Sequence, residues 1–187
     1  MTMPRVMTVA GSDSGGGAGI QADIKTITAL GAFATSAITA LTAQNTTGVT
    51  GIHPVPVPFI RSQIDAVLDD IGTDAAKTGM LSNAEVIHCV AEAFARHAVP
   101  NYVLDPVMVS KSGAVLLDEE AVDVMVRRLF PLATLVTPNV PEAERITGVT
   151  VANEAGACEA ARRLAETGPR AVLVKGGHLE AEACIDI

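Results

Sequence analysis

Short apolar runs bounded by glycine or proline alternate along this chain with longer segments whose apolar residues recur every three to four positions. That alternation leaves few folds open. Residues 5–10 form a β-prone run followed by glycine-rich sequence, and Ile20, Ile24, Ile27 and Leu30 then fall on one helical stripe. Residues 34–41 read as a second buried strand, and Pro54, Pro56 and Pro58 as a break and a helix entry. A helix is predicted over 59–71, with Gly72 just past its end, and a short strand over 75–78. Ser82, with Glu85 three residues on, predicts a capped helix running to about His97. Strands are expected at 102–104, 134–137 and 171–174, and helices at 118–130, 141–146 and 153–166. The end of the chain, 183–187, reads like the opening of one more strand. Strands separated by helices pair in parallel and must be covered on both faces, so a single α/β domain with a mostly parallel sheet is expected.

What fills and surrounds such a sheet follows from composition. Of 187 residues 49% are apolar, only 3% are aromatic and none is Trp, so the core is built from Ala, Val, Ile and Leu. The chain is too apolar and too weakly charged to be disordered. Its 21 acidic and 13 basic residues give a formal charge of -8, which argues against nucleic acid or an anionic membrane as partner. No formal charge occurs between Lys25 and Arg61, but Gly31, Thr35, Ser36, Thr39, Thr42, Gln44 and Asn45 interrupt that stretch too often for a membrane span. Cys89, Cys158 and Cys184 are few and widely spaced, as expected of reduced thiols in the cytosol. No apolar signal segment follows Met1.

In an open parallel sheet, ligands bind beyond the carboxyl ends of the strands, and the polar residues that follow each strand are the ones to inspect. The first strand gives way to Gly11-Ser12-Asp13-Ser14-Gly15-Gly16-Gly17-Ala18-Gly19 and a helix, where backbone N–H groups are available to an anion. The spacing fits neither G-x-G-x-x-G nor G-x-x-x-x-G-K-[ST], and a tight strand-to-helix turn explains it equally well. Asp23 lies in the following helix. Thr42-Ala43-Gln44-Asn45 ends the second strand, and Lys77-Thr78-Gly79-Met80 the third. Asp105-Pro106-Val107-Met108-Val109-Ser110-Lys111-Ser112-Gly113 follows the fourth. After the fifth, Asn139 and Glu142 stand one turn apart, spaced either for a hard cation or for a helix cap, the cap being the commoner use. Lys175-Gly176-Gly177-His178 follows the sixth. An inventory of amides, carboxylates and lysines on one rim suits Mg²⁺-nucleotide chemistry better than hydride transfer or a hydrolytic triad.

Taken in order, Gly11 to Asp23, Thr42-Ala43-Gln44-Asn45, Lys77-Thr78-Gly79-Met80-Leu81, Asp105-Pro106-Val107-Met108 and Thr137-Pro138-Asn139 resemble the hydroxymethylpyrimidine/phosphomethylpyrimidine kinases of thiamine biosynthesis, members of the ribokinase-like superfamily. The resemblance runs from about Met7 to His178. It implies a three-layer α/β/α sandwich, usually dimeric, that transfers the γ-phosphoryl of ATP to 4-amino-5-hydroxymethyl-2-methylpyrimidine and then to its monophosphate. By position it implies that Gly11, Asp23, Gln44, Met80 and Val107 form the pyrimidine pocket. Asp105, Asn139 and Glu142 would hold Mg²⁺, the last two through water. Lys175 would contact the ATP phosphates together with Asn139, and Lys111 would lie on a loop above them. Lys175, Asp105 and Lys111 form the implied catalytic set.

The family also carries a C-terminal Gly-Thr-Gly-Cys segment, which this sequence does not reach. On that basis the chain is expected to be C-terminally truncated, with a recognisable substrate half-site and weak or absent turnover. The rival readings are a pyridoxal kinase of the same superfamily and a non-catalytic pyrimidine-binding protein, with Gln44 and Met80 favouring the aminopyrimidine.

Overall fold

The structure is a computed structural model that describes residues 3–109, 117, 119–177 and 185–187. The strands are β1 (Arg5–Asp13), β2 (Phe33–Asn45), β3 (Gly48–Pro54), β4 (Ala75–Thr78), β5 (Tyr102–Leu104) and β6 (Leu135–Val136). The helices are α1 (Gly19–Ala29), α2 (Val57–Asp70), α3 (Ala84–Arg96), α4 (Glu119–Arg128), α5 (Val140–Thr147) and α6 (Glu154–Ala165), with a 3-10 turn at Phe130–Leu132. The strands form one sheet in the order β3-β2-β1-β4-β5-β6, parallel except for β3. Val172 and Lys175 extend it by parallel bridges to Val136 and Asn139. The 171–174 segment thus lies where a seventh strand would, with two bridges in place of a ladder. At the chain end Ile187 exchanges two backbone hydrogen bonds with Val174, which accords with the strand-like reading of that segment.

Alternate residues of β1 serve opposite faces of the sheet, as the pleat requires. Met7 and Val9 join the main hydrophobic cluster with Ile60 and Ile64 of α2. Thr8, between them, instead donates through Oγ1 to Asp23 of α1 at 2.6 Å. Helix α1 therefore covers one face of β1, and α2, α3 and α4 pack in a row on the other. The expected three-layer α/β/α arrangement is present. The core is mostly aliphatic, as the composition requires, and its one described aromatic pair sets Phe94 edge-on to Tyr102 at 5.1 Å. The Tyr102 hydroxyl, fully buried, hydrogen-bonds Thr78 Oγ1 at 2.7 Å.

Three expectations need correction. The proline-marked region was expected to hold only a break and a helix entry, yet Gly48–Pro54 is a strand antiparallel to β2. It lies at the sheet edge with most residues exposed, so it shows no alternation of buried and exposed positions and no period of two in sequence. Its pairing also makes Thr42-Ala43-Gln44-Asn45 part of β2, beyond the buried run 34–41. The N-cap of α3 is Asn83, not Ser82. Asn83 Oδ1 accepts from Val86 N at 3.0 Å, while Ser82 has a φ of 68° and its buried hydroxyl has no partner. Finally, the helix expected at 118–130 ends as a helix at Arg128, because Pro131 turns the chain into the 3-10 segment.

Candidate active site

The glycine-rich loop is organised by one side chain. Asp13, at the end of β1 and nearly fully buried, accepts from the backbone N–H groups of Gly15, Gly17 and Ala18 at 2.8, 2.9 and 2.8 Å. Three of the amides that the sequence offered to an incoming anion are thus already satisfied by an internal carboxylate. Gln21 of α1 fastens the loop from behind, its Oε1 accepting from Asp13 N and its Nε2 donating to Ser12 Oγ. Ser14 Oγ donates to Gln44 O and accepts from Gln44 N, joining this loop to the end of β2.

Gly11 sits where the β1–β2 register slips, between Ala10 and Ser12. A Cβ there would lie 2.8 Å from Met80 Cε, so glycine lets Met80 of the β4 end lie against the backbone. Gly19 is more constrained. Its φ is +55° and a Cβ would fall 2.3 Å from Gly11 O. Gln44 is half-buried, and its Oε1 accepts from Thr42 Oγ1 at 3.2 Å.

Carboxylates and ammonium groups alternate across the strand ends. Lys77 of β4 places Nζ 3.2 and 3.1 Å from the two oxygens of Asp23 and 3.9 Å from Asp105 Oδ2. Lys175 Nζ donates to Asp105 Oδ1 at 2.8 Å. The row Asp23–Lys77–Asp105–Lys175 therefore runs from α1 over β4 and β5 to the bridge beside Asn139.

Asn139 and Glu142 form a reciprocal capping box at the start of α5. Asn139 Oδ1 accepts from Glu142 N at 2.9 Å and Glu142 Oε2 from Asn139 N at 2.8 Å. The cap, the commoner use of this spacing, is what the backbone makes of it. Burial pushes the Glu142 carboxyl above its ordinary range, opposed by the Asn139 N–H and the nearby Lys175 charge.

The charged row, Asp13 and the capping box border one cleft of about 710 Å³. Gly11, Asp23, Gln44, Met80 and Val107 line it together with Asp105, Asn139, Glu142 and Lys175. Every described residue of the expected site is thus brought to one cavity, whereas Lys111 and His178 lie outside the described residues. Two further residues of the cleft were not singled out from the sequence. Asp13 and Lys77 stood in the sequence only as members of a loop, a strand end and the family motifs, with no role of their own. For a magnesium ion the donors are of the right kind. Asp105, Asn139 and Glu142 offer oxygen atoms at the wall that holds Lys175, and a hard cation with few protein ligands keeps its remaining positions for water or phosphate.

The sequence profile of the family described as phosphomethylpyrimidine kinase matches residues 13–187. The hydroxymethylpyrimidine/phosphomethylpyrimidine kinase of Haemophilus influenzae is 50% identical over 185 residues, covering 97% of this chain and 69% of that one. A solved phosphomethylpyrimidine kinase from Clostridium difficile superimposes with a TM-score of 0.91 at 45% identity, over 98% of this chain and 80% of that one. The pyridoxal kinase of Staphylococcus aureus, solved in complex with ADP, gives 0.91 at 34% identity, over 100% and 68%. The chain spans 37% of the length of a bifunctional thiamine-biosynthesis protein of Geobacter sulfurreducens to which it is 58% identical over 182 residues, 97% of this chain. A profile match that opens at Asp13 and passes Lys175 takes in every charged group of the cleft just described. The chain belongs to the phosphomethylpyrimidine kinase family.

Proposed function

We propose that the protein phosphorylates 4-amino-5-hydroxymethyl-2-methylpyrimidine and its monophosphate at the expense of ATP. The observation that carries this reading is the unbroken row Asp23–Lys77–Asp105–Lys175 along one cleft, which joins a wall suited to a small polar ring to a wall suited to phosphates. Relatives at 50% identity are named for both pyrimidine substrates, and a neighbour at 34% identity was solved with ADP.

In this reading Gln44 meets the edge of the aminopyrimidine, while Met80 and Val107 pack on its faces. Asp23 orients the amino or hydroxymethyl group. Lys175 draws the ATP phosphates to the Asn139 side, and the family resemblance adds Lys111 to the catalytic set. Asp105, with Asn139 and Glu142 through water, would hold Mg²⁺, which when bound neutralises charge on the transferring phosphoryl group. In the first transfer the hydroxymethyl oxygen bonds the γ-phosphorus as its bond to the β-phosphate oxygen breaks, ADP leaves and the alcohol proton passes to solvent; in the second a phosphate oxygen of the monophosphate is the acceptor. Such transfer depends on alignment and on charge neutralisation, which fixed carboxylates and ammonium groups provide. The reading extends to a cytoplasmic homodimer acting on small molecules; light scattering tests the dimer. No helix among the described residues is long and apolar enough to cross a membrane.

The experiment compares the pyrimidine alcohol with pyridoxal under Mg-ATP, following ADP release and product mass. Preferential phosphorylation of the pyrimidine is expected. Preference for pyridoxal would overturn the substrate, and calorimetric binding of the pyrimidine without ATP consumption would overturn the activity.

A further inference from the structure

Lys77 belongs to none of the sets assigned to pyrimidine, nucleotide or metal, yet it is the central member of the charged row. Its Nζ bridges both oxygens of Asp23 and also faces Asp105. Thr8, fully buried, also holds Asp23, donating to Oδ2 at 2.6 Å. The floor beneath the ammonium is cleared for it. A Cβ on Gly79 would come within 3.0 Å of Lys77 Nζ and 3.2 Å of Ala10 Cβ, so any larger residue at 79 would press on the head group. Both oxygens of the Asp23 carboxylate are thereby held, in a cleft that also carries a second carboxylate, Asp105.

We propose that Lys77 is a positioning residue for the acceptor substrate: with Thr8 it holds Asp23 in its cleft-facing orientation and offsets the repulsion between Asp23 and Asp105. Its action on the substrate goes through Asp23, so the inference rests on the reading of Asp23 as a pyrimidine contact. Losing a group that only aligns a substrate-binding carboxylate weakens acceptor binding much more than nucleotide binding.

The test measures KM for the pyrimidine alcohol and for ATP in K77M, K77R, D23N and K77M/D23N. K77M is expected to raise the pyrimidine KM about tenfold or more while the ATP KM moves less than about threefold. K77R restores most of the loss, and K77M/D23N is no worse than D23N alone, because two residues acting through one contact are not additive. Should K77M fail to fold, T8V carries the test. It removes the other donor to Asp23 and is expected to raise the pyrimidine KM selectively, by a smaller factor. Equal increases in both KM values, additive losses in the double variant, or a wild-type pyrimidine KM in K77M and T8V would each overturn the role of Lys77. A wild-type protein that binds no pyrimidine alcohol would instead overturn the functional reading, and this inference with it.

Discussion

Asp13 shows how one residue decides the use of a whole loop. A run of glycines ahead of a helix advertises free amides, but a carboxylate two to five positions upstream of three of them reaches forward and takes those three. D13A leaves these N–H groups without their acceptor in a nearly buried setting, so a loss on the order of 2 kcal/mol is expected in denaturant unfolding. D13N, which keeps an acceptor oxygen, loses less. Gly19 fails differently. G19A places a methyl group against Gly11 O with φ already positive, so a destabilisation of about 2 kcal/mol or more is expected, read as a lower Tm. G11A meets only the flexible end of Met80, so it folds, and its cost shows in pyrimidine KM. The glycines themselves were legible in the sequence. Which of them tolerates a side chain was not, because that depends on what the returning chain puts beside each one.

At the scale of an element, α5 does two jobs with one pair of residues. Its capping box is local and was readable from spacing. Its place on the cleft is not local, since it follows from β6 lying beside β5. Burial raises the Glu142 carboxyl above its ordinary value of 4.5, so the folded state holds this proton more tightly than the unfolded state does. That contribution to stability is fully present below the ordinary value and is lost as pH rises through the raised one. E142Q keeps an acceptor for Asn139 N–H and removes the titration. The wild-type loss of stability as pH rises above the ordinary carboxyl value should shrink in E142Q, as seen in urea midpoints across a pH series. Mg²⁺-dependent turnover in the same variant should fall roughly 10- to 100-fold. The N-terminus of α3 makes the complementary point. Ser82 and Asn83 are both good caps in sequence, and the turn out of β4 selects Asn83 by holding Ser82 at positive φ.

Across the molecule, the site depends on the sheet more than on any motif. Lys77 meets a partner 54 residues away in sequence, because β1 and β4 are neighbours, and Lys175 one 70 residues away, because its bridge to Asn139 continues the sheet past β5 and β6. The two walls of the cleft are therefore separable by experiment. Chelation of divalent ions with EDTA is expected to abolish ATP-dependent turnover and leave calorimetric binding of the pyrimidine alcohol unchanged. Loss of pyrimidine binding on chelation would place the metal at the wrong wall. By itself the sequence determined the alternation of strands and helices, the parallel character of the sheet and the polar residues at each strand end, all of which are local consequences of apolar periodicity and turn chemistry. It also carried the family motifs in order. Tertiary structure alone decided that an exposed, glycine-containing segment becomes an edge strand, that Asp13 consumes the loop amides, and that Lys77 lies between Asp23 and Asp105. Those outcomes turn on strand order and on which side chains share a face, and neither is encoded in the residues adjacent to them.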